Sequence, residues 1–361
     1  MTKTSLLRIL LTAVALGGAA WGQSSSLPSN SILASLPNVT TSTVPANGDL
    51  NPYGVAFVPA GFPAGANIAP GDVLVANFNA KSNQQGTGTT IVSISPTGQQ
   101  SLFATSTVIG VDTALGILSR GFVIVGNVPV AYPNGVSTPG LGSLQVFDPN
   151  GNLVSTITDP NFLSSPWDLT INDLGASAQV FVSNLSGTVT RLNFLVSSSG
   201  LTLESKTEIA SGYGVQLIPA IVGVGPTGLA YDPVRDILFV ASTNDNGIYE
   251  IENASSRTLN AGKGSVLYAD QTQLHGPLGL TLAPNGNLII ANGDAVNAGG
   301  TQNNLVEITE QGSLVATYQL DSGAPGAAFG VASTTWQGAV RFAAVDDDQN
   351  ALTVWTLHSL Q

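Results

Sequence analysis

Short apolar runs, each closed by a polar residue, recur along the chain. They are Val73-Leu74-Val75-Ala76-Asn77, Phe122-Val123-Ile124-Val125-Gly126-Asn127, Val180-Phe181-Val182-Ser183-Asn184, Leu238-Phe239-Val240-Ala241-Ser242, Leu288-Ile289-Ile290-Ala291-Asn292 and Phe342-Ala343-Ala344-Val345-Asp346. The closing residues Asn77, Asn127, Asn184, Ser242, Asn292 and Asp346 stand 50, 57, 58, 50 and 54 residues apart. Ahead of most runs lies Pro-x-Gly followed by aliphatic and small residues. The clear copies carry Pro52, Pro226 and Pro277, and the weaker ones are Pro166-Trp167-Asp168-Leu169 and Ala328-Phe329-Gly330-Val331-Ala332. Behind the runs come segments 90–94, 144–147, 188–192, 248–251, 305–308 and 352–355, several alternating apolar with polar residues. Alternation with a period of two marks a strand whose two faces differ. Turn sequences such as Ser95-Pro96-Thr97-Gly98 and Asp148-Pro149-Asn150-Gly151 follow, and segments 101–104, 153–157, 265–268 and 314–318 close most units.

Four short antiparallel strands per unit, repeated six times, predict an all-β fold, a six-bladed β-propeller. One four-stranded sheet cannot bury both its faces. Set radially, each sheet packs on two neighbours and the ring protects the sheet edges. Small residues in the first strands (Gly54, Ala56, Gly228, Ala230) suit a crowded axis. The sixth unit has room for only three strands before the chain ends, so the segment 32–44 is expected to supply the strand that completes the last blade.

The pattern Pro-x-Gly-Leu-Ala, then aliphatic residues with Val-Ala-Asn or Val-Ala-Ser, then Ile-x-x-Ile, resembles the NHL repeat of six-bladed propellers. The match spans residues 45–357; it is good in units one, four and five, moderate in unit three and degenerate in units two and six. Where that family often has Asp after Val-Ala, this chain has mostly Asn or Ser. Insertions fall at 61–71 and at the Gly/Pro-rich segment 127–142, and both are expected to form a recognition surface at the channel mouth.

Composition narrows the function. The 361 residues include 10 Lys+Arg, 22 Asp+Glu and no Cys, for a formal charge of −12, and charged residues make up 9%, against a typical share of about 25%. A basic nucleic-acid surface, a disulfide framework and any Cys-ligated metal are excluded. Residues 1–22 carry Lys3 and Arg8 ahead of an apolar run and Ala20-Trp21-Gly22, the pattern of a cleaved export signal. The apolar run is short for a membrane span. The expectation is a single domain over 23–361, secreted or periplasmic, monomeric, with no membrane span once the leader is removed and with a protein or carbohydrate ligand.

In such a propeller the start of each first strand and the end of each second strand converge on one mouth of the channel. That gathers Asn77, Asn127, Asn184, Asn292 and Asp346 as ligand-binding candidates, together with Asn51, Asp112, Asp168 and His275. Similarity to gluconolactonase and senescence-marker propellers implies a divalent cation there, Ca²⁺ among the choices, held by carboxylate and amide oxygens. Asn51, Asp112 and Asp168 are then the metal candidates, although Asn51 stands where those enzymes usually present an acid. The other reading of the Asn positions is turn chemistry, each side chain bonding local backbone. His275 is a catalytic candidate, as base near neutral pH, or a loop His bonded to a carbonyl. Asp168 replaces the Gly of other units and marks a ligand site or caps a turn. Asp346-Asp347-Asp348-Gln349-Asn350 lacks the Gly and distal Glu of a helix-flanked calcium loop and reads as a solvated turn. Three functions are weighed: a binding module working through the mouth loops, a metal-dependent hydrolase of lactonase type, and a purely structural envelope or matrix protein. The balance leans away from an enzyme.

Overall fold

A computed structural model describes residues 31–35, 37, 39–218, 221–293, 304–323 and 326–358; the expected leader lies outside the described residues. The chain forms six antiparallel four-stranded sheets. Blade I comprises Leu50–Phe57, Val73–Asn79, Gln85–Ile94 and Gln100–Thr105, and blade II comprises Val111–Ile117, Val123–Val128, Ser143–Phe147 and Leu153–Thr158. Blade III comprises Pro166–Asp173, Ser177–Asn184, Thr188–Ser197 and Gly200–Ser211, and blade IV comprises Pro226–Asp232, Ile237–Ser242, Gly247–Glu252 and Ser265–Tyr268. Blade V comprises Pro277–Leu282, Leu288–Asn292, Asn304–Ile308 and Leu314–Gln319. Blade VI has Ala328–Trp336, Ala339–Asp346 and Ala351–His358, with Val39–Ser42 antiparallel to the last of these from Val39↔Val354 to Ser42↔Ala351. Each innermost strand touches the next, and that of blade VI touches that of blade I, so the ring is closed. This is a six-bladed propeller.

The ring explains why the second strands read as unbroken apolar runs. Successive side chains point to opposite faces, and both faces are buried. Leu74 and Ala76 pack toward blade II, while Val73 and Val75 pack toward blade VI. Phe239 and Ala241 face blade V, while Leu238 and Val240 face blade III. A separate apolar cluster fills each of the six gaps between consecutive blades. The hydrophobic core is therefore a set of wedges, joined at the axis by a seventh cluster of Tyr53, Phe78, Val111, Val128, Trp167, Leu185 and Leu278.

Neighbouring innermost strands come so close that the Gly of the repeat is required. A Cβ on Gly330 would lie 1.9 Å from the Tyr53 carbonyl oxygen, and one on Gly279 would lie 2.2 Å from that of Phe329. Blade III carries Asp168 at this register, where its carboxylate spans to blade IV by accepting the Leu229 N–H at 3.2 Å.

The N-terminal segment is held by a second device. Glu307, fully buried in blade V, accepts from Ser31 Oγ at 2.7 Å, from the N–H groups of Ile32 and Leu33 at 3.1 Å, and from Asn287 Nδ2 at 2.7 Å. Ile32 and Leu33 thereby enter the wedge between blades V and VI.

Three elements depart from the sequence-based assignment. Blade III has a twelve-residue outer strand, Gly200–Ser211, whose sequence is too polar to show as an apolar run. Between blades III and IV, Gln216–Ile218 pairs with Ile221–Val224. The 127–142 segment forms a small hairpin, Val130–Ala131 with Thr138–Pro139, around a 3-10 turn at Pro133–Gly135.

Candidate functional site

The channel has two distinct ends. The mouth is where the innermost strands begin and the second strands end, as the pairing of Pro52 with Asn77 and of Asp112 with Asn127 shows. The 127–142 hairpin lies at this end, and its Tyr132 hydroxyl donates to the Gln85 carbonyl of blade I. The 61–71 insertion does not. It joins Phe57 to Val73, and those residues pair at the far end of the blade, so this loop belongs to the opposite face. It packs there, with Asn67 Nδ2 donating to the Asn150 carbonyl at 2.8 Å. The expectation of two mouth insertions fails because a loop after an innermost strand exits at the far end.

The residues closing the second strands are buried, and four share one arrangement. Asn77 Nδ2 donates to the Thr43 carbonyl at 2.8 Å, Asn127 Nδ2 to the Val108 carbonyl at 3.0 Å and Asn184 Nδ2 to the Phe162 carbonyl at 3.3 Å, while Asn292 Nδ2 donates to the Gln273 carbonyl. Each amide ties the end of a second strand to the stretch leading into the first strand of its own blade. In blade IV, where Ser242 replaces Asn, Asn246 instead reaches the next lead-in, donating to the Leu274 carbonyl at 2.7 Å and accepting from Gly276 N–H at 2.9 Å. Asp346 accepts the Gln349 N–H at 3.0 Å, a local turn bond. Burial, then the nearby Asp321 and Asp348 charges, push its carboxyl up to about 6.

The metal candidates are distributed rather than gathered. Asn51 sits at the mouth with φ of 61°, its N–H bonded to Asn350 Oδ1 at 2.7 Å. Asp112 is 1% exposed; Oδ1 accepts from Asn127 Nδ2 at 2.6 Å, Oδ2 is without a partner among the described residues, and burial pushes the carboxyl up to about 8. Asp168 lines a cavity of about 220 Å³ in the far half of the channel, alongside Val55, Leu115, Ile171 and Thr281. Its carboxylate accepts the N–H groups of Leu169 at 2.7 Å and Leu229 at 3.2 Å, and burial raises it to about 8. Among the described residues, no three His, Asp or Glu side chains converge as a metal site would require. His275 lies outside the mouth cavity: its N–H bonds Asn292 Oδ1 at 3.1 Å and its Nε2 pairs with the Thr272 carbonyl at 3.2 Å.

What occupies the mouth is aromatic. Tyr53, Phe78, Trp167, Leu278 and Phe329 line a second cavity of about 220 Å³ around the axis. Tyr53 is the hub. Its ring lies 5.5 Å from Trp167 at 79°, 5.3 Å from Phe329 at 36° and 6.3 Å from Phe78 at 64°. Offset and edge-on pairs at these separations are the favoured geometries. Trp167 Nε1 donates to the Tyr53 hydroxyl at 2.8 Å. Asn51, Gln85 and Asp347 complete the wall, with Gly223 and Val224 of the unforeseen hairpin. Tyr53, Phe78 and Trp167 pack in one buried apolar cluster and wall this cavity as well, while Asp347, read from the sequence as part of a solvated turn, stands beside them. The signal was present: Tyr53, Trp167, Leu278 and Phe329 all follow the first residue of the repeat segment.

The fold defines the class, a six-bladed propeller built of four-stranded antiparallel blades. No family model matches the chain, and no curated protein matches it by sequence. Solved structures do. A glucose dehydrogenase-type oxidoreductase from Thermus thermophilus superposes with a TM-score of 0.53 at 15% identity, covering 88% of this chain and 99% of that one. The calcium-binding protein regucalcin from Agrobacterium tumefaciens gives 0.51 at 14% identity, covering 90% and 97%. A gluconolactonase from Xanthomonas campestris gives 0.50 at 12% identity, covering 86% and 87%. At these identities the likeness is one of fold.

Proposed function

We propose that this protein is an exported, NHL-like propeller that works as a binding module, taking its ligand at the channel mouth. The observation that carries the reading is the cavity walled by Tyr53, Phe78, Trp167, Leu278 and Phe329. Concave, largely apolar sites with a few placed polar groups are the usual form of a ligand site. A cavity of about 220 Å³ is below the range of drug-sized pockets, roughly 300–1,000 Å³. It accommodates a small molecule or one projecting group of a protein or carbohydrate partner. Rigid aromatic walls favour such groups because the rings lose little freedom when contacted.

The test is a peptide and oligosaccharide array probed with the chain from residue 23 onward and with two variants. Leu278→Trp fills the cavity from within, and Gln85→Trp obstructs it from the partly exposed rim with little risk to the core. A bound array member lost by both variants supports the reading; retention by both overturns it. Turnover of a lactone panel that disappears in His275→Ala would replace it with the hydrolase alternative.

A further inference from the structure

We propose that the group received by the mouth cavity is an organic ammonium, its charge held by Asn51 and Asp347 and its apolar body lying against the aromatic walls. The inference rests on the binding reading above and names the chemistry of the ligand. Asn51 is 9% exposed, and its Oδ1 has no hydrogen-bond partner among the described residues. A buried acceptor without a partner is costly, so it calls for a donor. Asp347 stands on the same wall, and no donor among the described residues bonds its carboxylate. Its surroundings add only more negative charge: burial first, then Asp348 and Asp346, push it up to about 7.

Among the described residues, no Lys, Arg or His lines this cavity. An anion entering it would meet a carboxylate and the negative faces of the rings. A purely apolar guest would leave both acceptors dry. An ammonium supplies up to three N–H donors, neutralises the carboxylate and is attracted to the aromatic faces. The chain's formal charge of −12 also draws cations toward it in solution.

Three probes of one shape test this by calorimetry on the chain from residue 23: phenethylamine, 2-phenylethanol and phenylacetate. Phenethylamine is expected to bind at least about tenfold more tightly than the alcohol, the ratio of roughly 1.4 kcal/mol, and phenylacetate more weakly than either. Asp347→Asn should remove about tenfold of the amine's affinity and leave the alcohol's unchanged. Asn51→Asp, which keeps a residue type tolerant of positive φ, should tighten the amine several-fold. Equal binding of amine and alcohol, or an amine indifferent to Asp347→Asn, overturns the ammonium assignment while leaving mouth binding standing. Failure of all three probes overturns it as well, and the array with Gln85→Trp then judges the binding reading separately.

Discussion

Trp167 donates its indole N–H to the hydroxyl of Tyr53 at 2.8 Å, joining the innermost strands of blades III and I past the blade between them. Both side chains are almost fully buried. The bond fixes the orientation of two rings that wall the mouth cavity, so packing at the axis and the shape of the candidate site are one problem.

Tyr53→Phe leaves the buried Trp167 N–H without an acceptor. The expected loss is about 1–3 kcal/mol, the cost of an orphaned buried donor. Trp167→Phe removes the donor as well as part of a large ring. Because the two residues share one bond, the double variant should be less destabilised than the sum of the singles, by about 0.5 kcal/mol or more. Urea unfolding midpoints at constant slope measure this; strict additivity would show that the bond contributes nothing.

Gly330→Ala places a methyl group 1.9 Å from the Tyr53 carbonyl oxygen. Blades VI and I must separate to admit it, and overpacking of this kind costs about 1–3 kcal/mol. The lowered melting temperature should come with changed Tyr53 ring contacts, seen as shifted aromatic resonances. A melting temperature equal to that of the parent would contradict the close approach of these strands.

Glu307→Ala withdraws the acceptor shared by Ser31, Ile32, Leu33 and Asn287. With several donors left dry at about 1–3 kcal/mol each, a loss of about 3 kcal/mol or more is expected. Hydrogen exchange locates it: amides of Ile32 and Leu33 should lose protection before those of the second strands. Glu307→Gln retains one acceptor oxygen and should lie between.

Acid should favour the fold more than the overall charge suggests. Asp112 and Asp168 both have folded-state values raised from the ordinary carboxylate range to about 8. The folded chain therefore binds more protons than the unfolded chain between about pH 4 and pH 8, and stability falls as pH rises through that window. Asp112 is sealed by protein, whereas Asp168 still faces the channel, where water moderates its charge. Asp112→Asn should thus flatten the pH profile more than Asp168→Asn and should stabilise the protein at about pH 8 but not at about pH 4. An unchanged slope in Asp112→Asn would remove this residue as the cause.

The six-fold repeat, the strand order and the four-stranded blade were legible in the sequence because each second strand is buried on both faces. Val73 to Ala76 and Leu238 to Ala241 had to be apolar without a break. The polar outer strand Gly200–Ser211 escaped notice because one solvated edge imposes no such pattern.

The sequence by itself determined where the close contacts at the axis fall. Gly54, Gly228, Gly279 and Gly330 stand at one register because neighbouring backbones leave no space for a Cβ there. Only the tertiary structure decided what those positions surround. Asn77, Asn127, Asn184 and Asn292 left two readings open, ligand oxygens or side chains bonding local backbone, and in the structure their amides donate to the backbone leading into the first strand of their own blade. Tyr53, Trp167 and Phe329, far apart along the chain, meet in one apolar cluster at the axis and wall one cavity. The direction in which a side chain leaves a strand follows from local alternation; which side chains meet at an axis depends on closing the ring.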